Sequence, residues 1–262
     1  MAGANGTRTL EDPLREALRL IALLDARGLH ARLMGGLAFH AKVPEWTARV
    51  SRGRRDIDLA VRSSERKAII EALMAEGYVG DKQYNALYGH KQLYFVDPVW
   101  DRPVDVLVDR LEMCHKFEFA DRLAIDDPTL PLAELLLSKL QVVRVNRKDV
   151  LDALILFAQF PLGESEPASI SISRITSLTS NDWGWWRTVT ENLDKIGLFY
   201  EVELLPGELE TTTPHRYDAL AQVAALRAAI DAAPKSTKWK LRARVGERVP
   251  WYELPEEVGH DR

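Results

Sequence analysis

Arg54-Arg55-Asp56-Ile57-Asp58-Leu59-Ala60-Val61 alternates carboxylate and apolar side chains and then turns apolar. Successive side chains of a strand point to opposite faces. Asp56, Asp58 and Ala60 therefore share one face, while Ile57, Leu59 and Val61 share the other, which suits burial under helices. The two carboxylates stand about 7 Å apart at Cα, given a rise of about 3.3 Å per residue. Like charges that close repel unless a cation, most simply a divalent metal, neutralises them. On these residues alone two readings stay open: a solvated strand edge, or a metal site.

Upstream, residues 12–27 carry Leu14, Leu18, Ile21 and Leu24 at helical spacing, with Gly28 as C-cap. Leu29-His30-Ala31-Arg32-Leu33-Met34 is a short strand running into Gly35-Gly36, and Leu37-Ala38-Phe39-His40-Ala41 suits a helix start. Strand, Gly-Gly, helix is either a tight turn or a phosphate cradle, because glycine lets a ligand approach the backbone and helix N-termini attract anions. Residues 44–53 are expected to form a loop. Its Arg49 and Arg52, with Arg54 and Arg55, either face solvent or meet phosphates.

Downstream, Ser63 and Ser64 are cap candidates for a helix over 65–76 that ends at Gly77. Residues 91–96 and 103–109 form a hairpin across a turn at 97–101. Val104, Val106 and Val108 take one face of its second strand. Asp105 lies in mid-strand on the other, and Asp109 marks the strand end. Asp105 is thus the third carboxylate, on a neighbouring strand, that a two-metal site needs.

A strong helix covers 132–143, with Leu132, Leu135, Leu136, Leu140 and Val143 as its stripe. Lys139 falls on that stripe, where lysine is uncommon. It either snorkels at the rim or serves a cleft that needs its charge. Asn146 is an N-cap with Asp149 three residues on, as in a capping box, and Asp152 follows on the same face. The Pro- and Gly-bearing segment 161–167 is a break. Trp183, Trp185 and Trp186 open a helix to Ile196, as core or docking surface rather than a base-stacking platform, and a further helix covers 214–232. Lys238-Trp239-Lys240-Leu241-Arg242-Ala243-Arg244-Val245 alternates strictly, as an extended segment with one basic and one apolar face. That segment is a solvated edge strand or a nucleic-acid backbone patch. Residues 251–262 are expected to be a loose tail.

The totals set bounds. With 262 residues, 46% of them hydrophobic, the chain can bury a core as one large or two small domains. No long apolar run predicts a membrane span, and the polar segment 1–11 lacks the apolar core of a secretory signal. A single cysteine, Cys114, allows no intrachain disulfide and no Cys-rich zinc site, which fits a cytoplasmic setting. A net charge of −4 offers no global basic field for nucleic acid, though local patches could still bind it.

Taken in order, Gly35-Gly36, Asp56-Ile57-Asp58, Val104-Asp105-Val106, Lys139 with Arg144, and Lys148-Asp149-Val150-Leu151-Asp152 resemble the DNA polymerase β-type nucleotidyltransferase superfamily. Within it the chain is most similar to the AbiEii/MenT toxin group, whose K-x4-R and R-D-x-x-D motifs match here with Lys148 in place of arginine. The resemblance covers about residues 30–160. It departs in a long spacing from Gly36 to Asp56 and in Arg54, where serine or threonine is usual.

The resemblance implies an α+β fold, a polymerase β-like mixed sheet with flanking helices followed by a mostly helical C-terminal region. Residues 1–125 would form the catalytic core and 126–262 the helical region, of which 130–160 completes the active site. The implied reaction moves NMP from an NTP to an acceptor hydroxyl. Asp56, Asp58 and Asp105 would hold Mg²⁺. Gly35, Gly36, Arg55, Lys139, Arg144 and Asp152 would contact the nucleotide, and Asp149 would orient Lys139 or act as base. The implied acceptor is the tRNA 3′ end, with a cognate antitoxin as partner. A small cationic aminoglycoside as acceptor, and a non-catalytic NTP-binding protein, stay open beside it.

Overall fold

Asp12 starts the first helix: its carboxylate accepts from Arg15 N at 2.7 Å, and Pro13 occupies the first turn. This helix, α1 (Pro13–Ala26), appears in a computed structural model that describes residues 9–47 and 56–254. Its buried stripe is Ala17, Leu20, Ile21 and Leu24, so Leu18, expected inward, faces out at 36% exposure. Glu16 lies wholly inside. Burial opposes its charge, but hydrogen bonds from Arg19, Tyr78 and Leu10 N prevail and hold its carboxyl below the usual range.

The described residues form two units. One comprises the chain up to Arg110 together with Glu118–Pro131. The other comprises Leu111–Phe117 and the chain from Leu132 onward. The break at 161–167 lies within the second.

In the first unit, β1 (Ala31–Met34) leads into α2 (Gly35–Lys42), and a single turn, α3 (Pro44–Thr47), follows. Arg55, with Arg49, Arg52 and Arg54, lies outside the described residues. β2 (Ile57–Val61) is followed by α4 (Arg66–Ala75), β3 (Val79–Gly80), α5 (Lys82–Tyr88), β4 (Gln92–Asp97) and β5 (Arg102–Val108). The five strands make one mixed sheet in the order β1-β2-β5-β4-β3. β2 and β5 are parallel, and the other pairings are antiparallel. Ile57, Leu59, Val61, Leu93, Phe95, Val104, Val106 and Val108 are buried on one face, as the alternation predicts. This is the expected mixed sheet with flanking helices.

Ser63 and Ser64 cap no helix. A 3₁₀ turn at Ser63–Glu65 precedes α4, and the Glu65 carboxylate is engaged by His30 through its backbone N at 2.6 Å and its ring at 2.8 Å. Asp109 takes φ 63° and accepts from Ser63 N at 2.8 Å, which fits a residue that ends a strand.

The second unit is mostly helical: α6 (Leu132–Leu140), α7 (Arg147–Gln159), α8 (Ile172–Asn181), α9 (Trp183–Val202), α10 (Ala219–Ala232) and α11 (Thr237–Val245). Three expectations fail here. α6 stops at Leu140 rather than continuing to Val143, and Asn192 Nδ2 donates to the carbonyls of Leu140 and Val142 at 2.8 and 2.9 Å. That side chain satisfies the Leu140 carbonyl, one of the last four that the helix leaves without an intrahelical partner. α10 begins at Ala219, capped by Asp218, so 214–218 lie outside it. Residues 238–244 form a helix and not an extended segment. Ser236 caps it at Trp239 N, its residue types are compatible with a helix, and helical spacing scatters the four basic residues around the axis.

Trp183 and Trp185 are buried, as expected of core residues. His115 packs on Trp185 with ring centroids 5.0 Å apart, and its Nε2 lies 2.8 Å from Thr188 Oγ1. Burial pushes the imidazole down to about 4, against the pull of Asp182. The unfolded chain then takes up a proton near pH 6.5 that the folded chain refuses until about pH 4. Stability from this residue is therefore lost as pH falls through that window, by about 2 kcal/mol at pH 5. Urea denaturation of His115→Gln and the parent should show a stability difference that shrinks by about this amount between pH 7.5 and 5. A difference that stays constant with pH would refute the assignment.

No helix among the described residues is long and apolar enough to cross a membrane.

Candidate active site

Sheet register builds the first cluster. Asp58 is the direct partner of Asp105 across the parallel β2–β5 ladder, where strands lie about 4.8 Å apart. Met34 on β1 opposes Asp58, and Tyr94 on β4 opposes Asp105. The row Met34, Asp58, Asp105, Tyr94 thus crosses the sheet on the face opposite the valine-rich one. Asp58 and Asp105 are both half-buried there.

Gly35 stands at the junction of β1 and α2 with φ 62°. A Cβ built on it would lie 1.8 Å from Asp58 Oδ2 and 2.7 Å from its Cγ, so the glycine backbone packs directly on the carboxylate. No side chain caps α2, since Met34 occupies its N-cap, and Gly36 lies in its first turn. The α2 N-terminus therefore has the polarity that favours an anion.

Asp105 is held in place. Gln92 Nε2 donates to its Oδ1 at 2.6 Å. Tyr84 on α5 is 6.2 Å from Tyr94 and 5.0 Å from Tyr88, ring to ring. Its phenol is pushed up by burial first, and then by the charge of Asp105 and by Tyr88. Gln92, Tyr84 and Tyr94 are neighbours the sequence reading did not select. The signal was the alternation Gln92-Leu93-Tyr94-Phe95, which places 92 and 94 on the face of Asp105 once the hairpin is in register.

Asp56 is exposed and sits one residue before β2. Among the described residues no group of three or more His, Cys, Asp or Glu side chains is gathered as a metal site. The fit to Mg²⁺ therefore rests on the Asp58–Asp105 pair, which supplies hard oxygen donors from two strands on one face, as that ion requires.

A second cluster belongs to the second unit. Lys139 Nζ lies 3.0 Å from both Asp149 Oδ1 and Asp152 Oδ2. The Asp152 side chain is 1% exposed. Burial would lower the Lys139 ammonium, but the charges of Asp152 and Asp149 outweigh it and raise it. Asn146 caps α7 by accepting from Lys148 N and Asp149 N, as the sequence predicts, while the Asp149 carboxylate reaches Lys139. Arg144 is exposed in the loop after α6, so Lys139 and Arg144 do not share a helix.

No family model matches the chain, and no curated protein matches it. Among solved structures it is similar to the STING-associated CdnE c-di-GMP synthase from Capnocytophaga granulosa, at 16% identity over 88% of this chain and 79% of that one, with a TM-score of 0.26. At that score the likeness gives no residue-to-residue correspondence.

Proposed function

We propose that the chain is a Mg²⁺-dependent nucleotidyltransferase that moves NMP from an NTP to an acceptor hydroxyl and releases pyrophosphate. The observation that carries this reading is the pairing of Asp58 with Asp105 on one sheet face, with the Gly35 backbone packed on the Asp58 carboxylate at the start of α2. Phosphoryl transfer asks little of a protein beyond positioning and charge compensation, and these residues offer both.

Asp58 and Asp105 would hold Mg²⁺, and the D-x-D motif adds Asp56 to them. When bound, the ion neutralises triphosphate charge and lowers the pKa of the attacking hydroxyl. Gly35 and Gly36 present backbone N–H groups to a phosphate. Gln92 fixes the orientation of the Asp105 carboxylate through its 2.6 Å hydrogen bond. Lys139 and Arg144 as triphosphate cations, with Asp149 and Asp152 behind Lys139, enter on the motif alone.

The test is incubation with each α-labelled NTP and Mg²⁺ in three acceptor arms: total tRNA, an aminoglycoside, and no added acceptor. The last arm detects transfer from one nucleotide to the hydroxyl of another. Label is expected in the product of one arm and absent with Asp58→Ala, whose circular dichroism should match the parent. Equal incorporation by parent and variant would reject the site, and no incorporation in any arm would reject the reaction.

A further inference from the structure

The second unit contains a cavity of about 590 Å³, within the roughly 300–1,000 Å³ typical of ligand pockets. The turn at 114–116, the start of α9, α11 and the segment 250–253 enclose it. Trp183, Trp185, Trp239, Trp251 and Tyr252 supply its walls. The Trp183 and Trp251 rings meet edge to face at 5.9 Å, and Trp186 braces Trp239 at 5.2 Å.

The enclosure is built by specific contacts. Arg242 lies over the Trp183 ring at 4.8 Å and donates to Gly246 O and Val249 O at 2.6 and 2.7 Å, tying α11 to the segment that follows. Gly184 allows Trp251 to close over the start of α9, since a Cβ there would lie 2.6 Å from Trp251 O.

Charge narrows the class of occupant. Both carboxylates at the cavity are engaged: Asp182 caps α9 at Gly184 N and Trp185 N, and Glu253 lies 3.5 Å from Lys116. Exposed Lys238 makes no hydrogen bond or ion pair with the described residues. A cationic ligand would meet Arg242 and Lys238, and a purely apolar one would leave the Lys238 charge unused. A planar ring system bearing an anion matches both the aromatic wall and the spare ammonium.

We propose that this cavity binds a nucleoside monophosphate, with its base stacked on the tryptophan wall and its phosphate at Lys238. The proposal does not rest on the transfer reaction, and Asp58 and Asp105 belong to the other unit.

Titration of the full chain carrying Asp58→Ala, in EDTA, with AMP, GMP, CMP or UMP tests this, because neither metal nor triphosphate is then present. Calorimetry should give one equivalent of binding for at least one of the four, with quenching of tryptophan fluorescence. Adding Lys238→Glu or Trp239→Leu should each weaken that binding by about tenfold or more. Lys238 is exposed, so its variant tests the proposal even if Trp239→Leu disturbs packing. Failure of all four nucleotides to bind, affinity unchanged by Lys238→Glu, or competition by inorganic phosphate equal to that of the nucleotide would each overturn the proposal.

Discussion

Gly35→Ala should abolish nucleotidyl transfer and destabilise the protein by about 2 kcal/mol or more. Two costs add. The left-handed backbone at φ 62° disfavours any side chain by about 1–2 kcal/mol. The new methyl would also sit 1.8 Å from Asp58 Oδ2, so either the carboxylate rotates away or the start of α2 moves. Either outcome displaces the group proposed to hold the metal. Gly28→Ala is the control, since Gly28 has φ 71° but nothing within 4 Å of the added Cβ, and should show the backbone cost alone. In an Asp58→Ala background the Oδ2 and Cγ atoms are gone, and of the three nearest atoms Asp58 Cβ, at 3.1 Å, remains. The Gly35→Ala penalty should then fall toward that of Gly28→Ala, giving a coupling of about 1 kcal/mol or more in a double-mutant cycle measured by urea denaturation. Additive penalties would show that the close approach is not an energetic constraint.

The sheet and its carboxylates were legible because a period of two leaves little choice. Asp58 and Asp105 each sit between buried apolar neighbours, so burying those neighbours forces both carboxylates to the opposite face. The same period misleads at 238–245, where no partner strand pairs with the segment and the Ser236 cap makes a helix. Alternation signals a strand only where a sheet is present to bury one face. The end of α6 was illegible for another reason: the side chain that satisfies its Leu140 carbonyl, Asn192, is about fifty residues away in sequence. The contact of Gly35 with Asp58 depends on the antiparallel register of β1 and β2, which a Gly-Gly dipeptide does not encode. Gln92 was within reach, since its place on the Asp105 face follows from the hairpin once the turn length is known.

Lys139 is where stability and catalysis make different forecasts. Its ammonium lies between Asp149 and Asp152 at 3.0 Å from each, and Asp152 is buried. Lys139→Met removes the cation from between two carboxylates, and breaking a buried pair this way typically costs about 3–5 kcal/mol. The parent keeps this contribution through neutral pH, because a raised lysine loses its proton only in alkali. Urea denaturation at pH 7.5 should therefore show Lys139→Met less stable than the parent by about this amount. Lys139→Met/Asp152→Leu, which removes the buried charge as well, should recover part of the loss at pH 7.5. A Lys139→Met protein as stable as the parent at pH 7.5, yet inactive in NTP transfer, would contradict this structural role and leave the triphosphate as what the lysine serves.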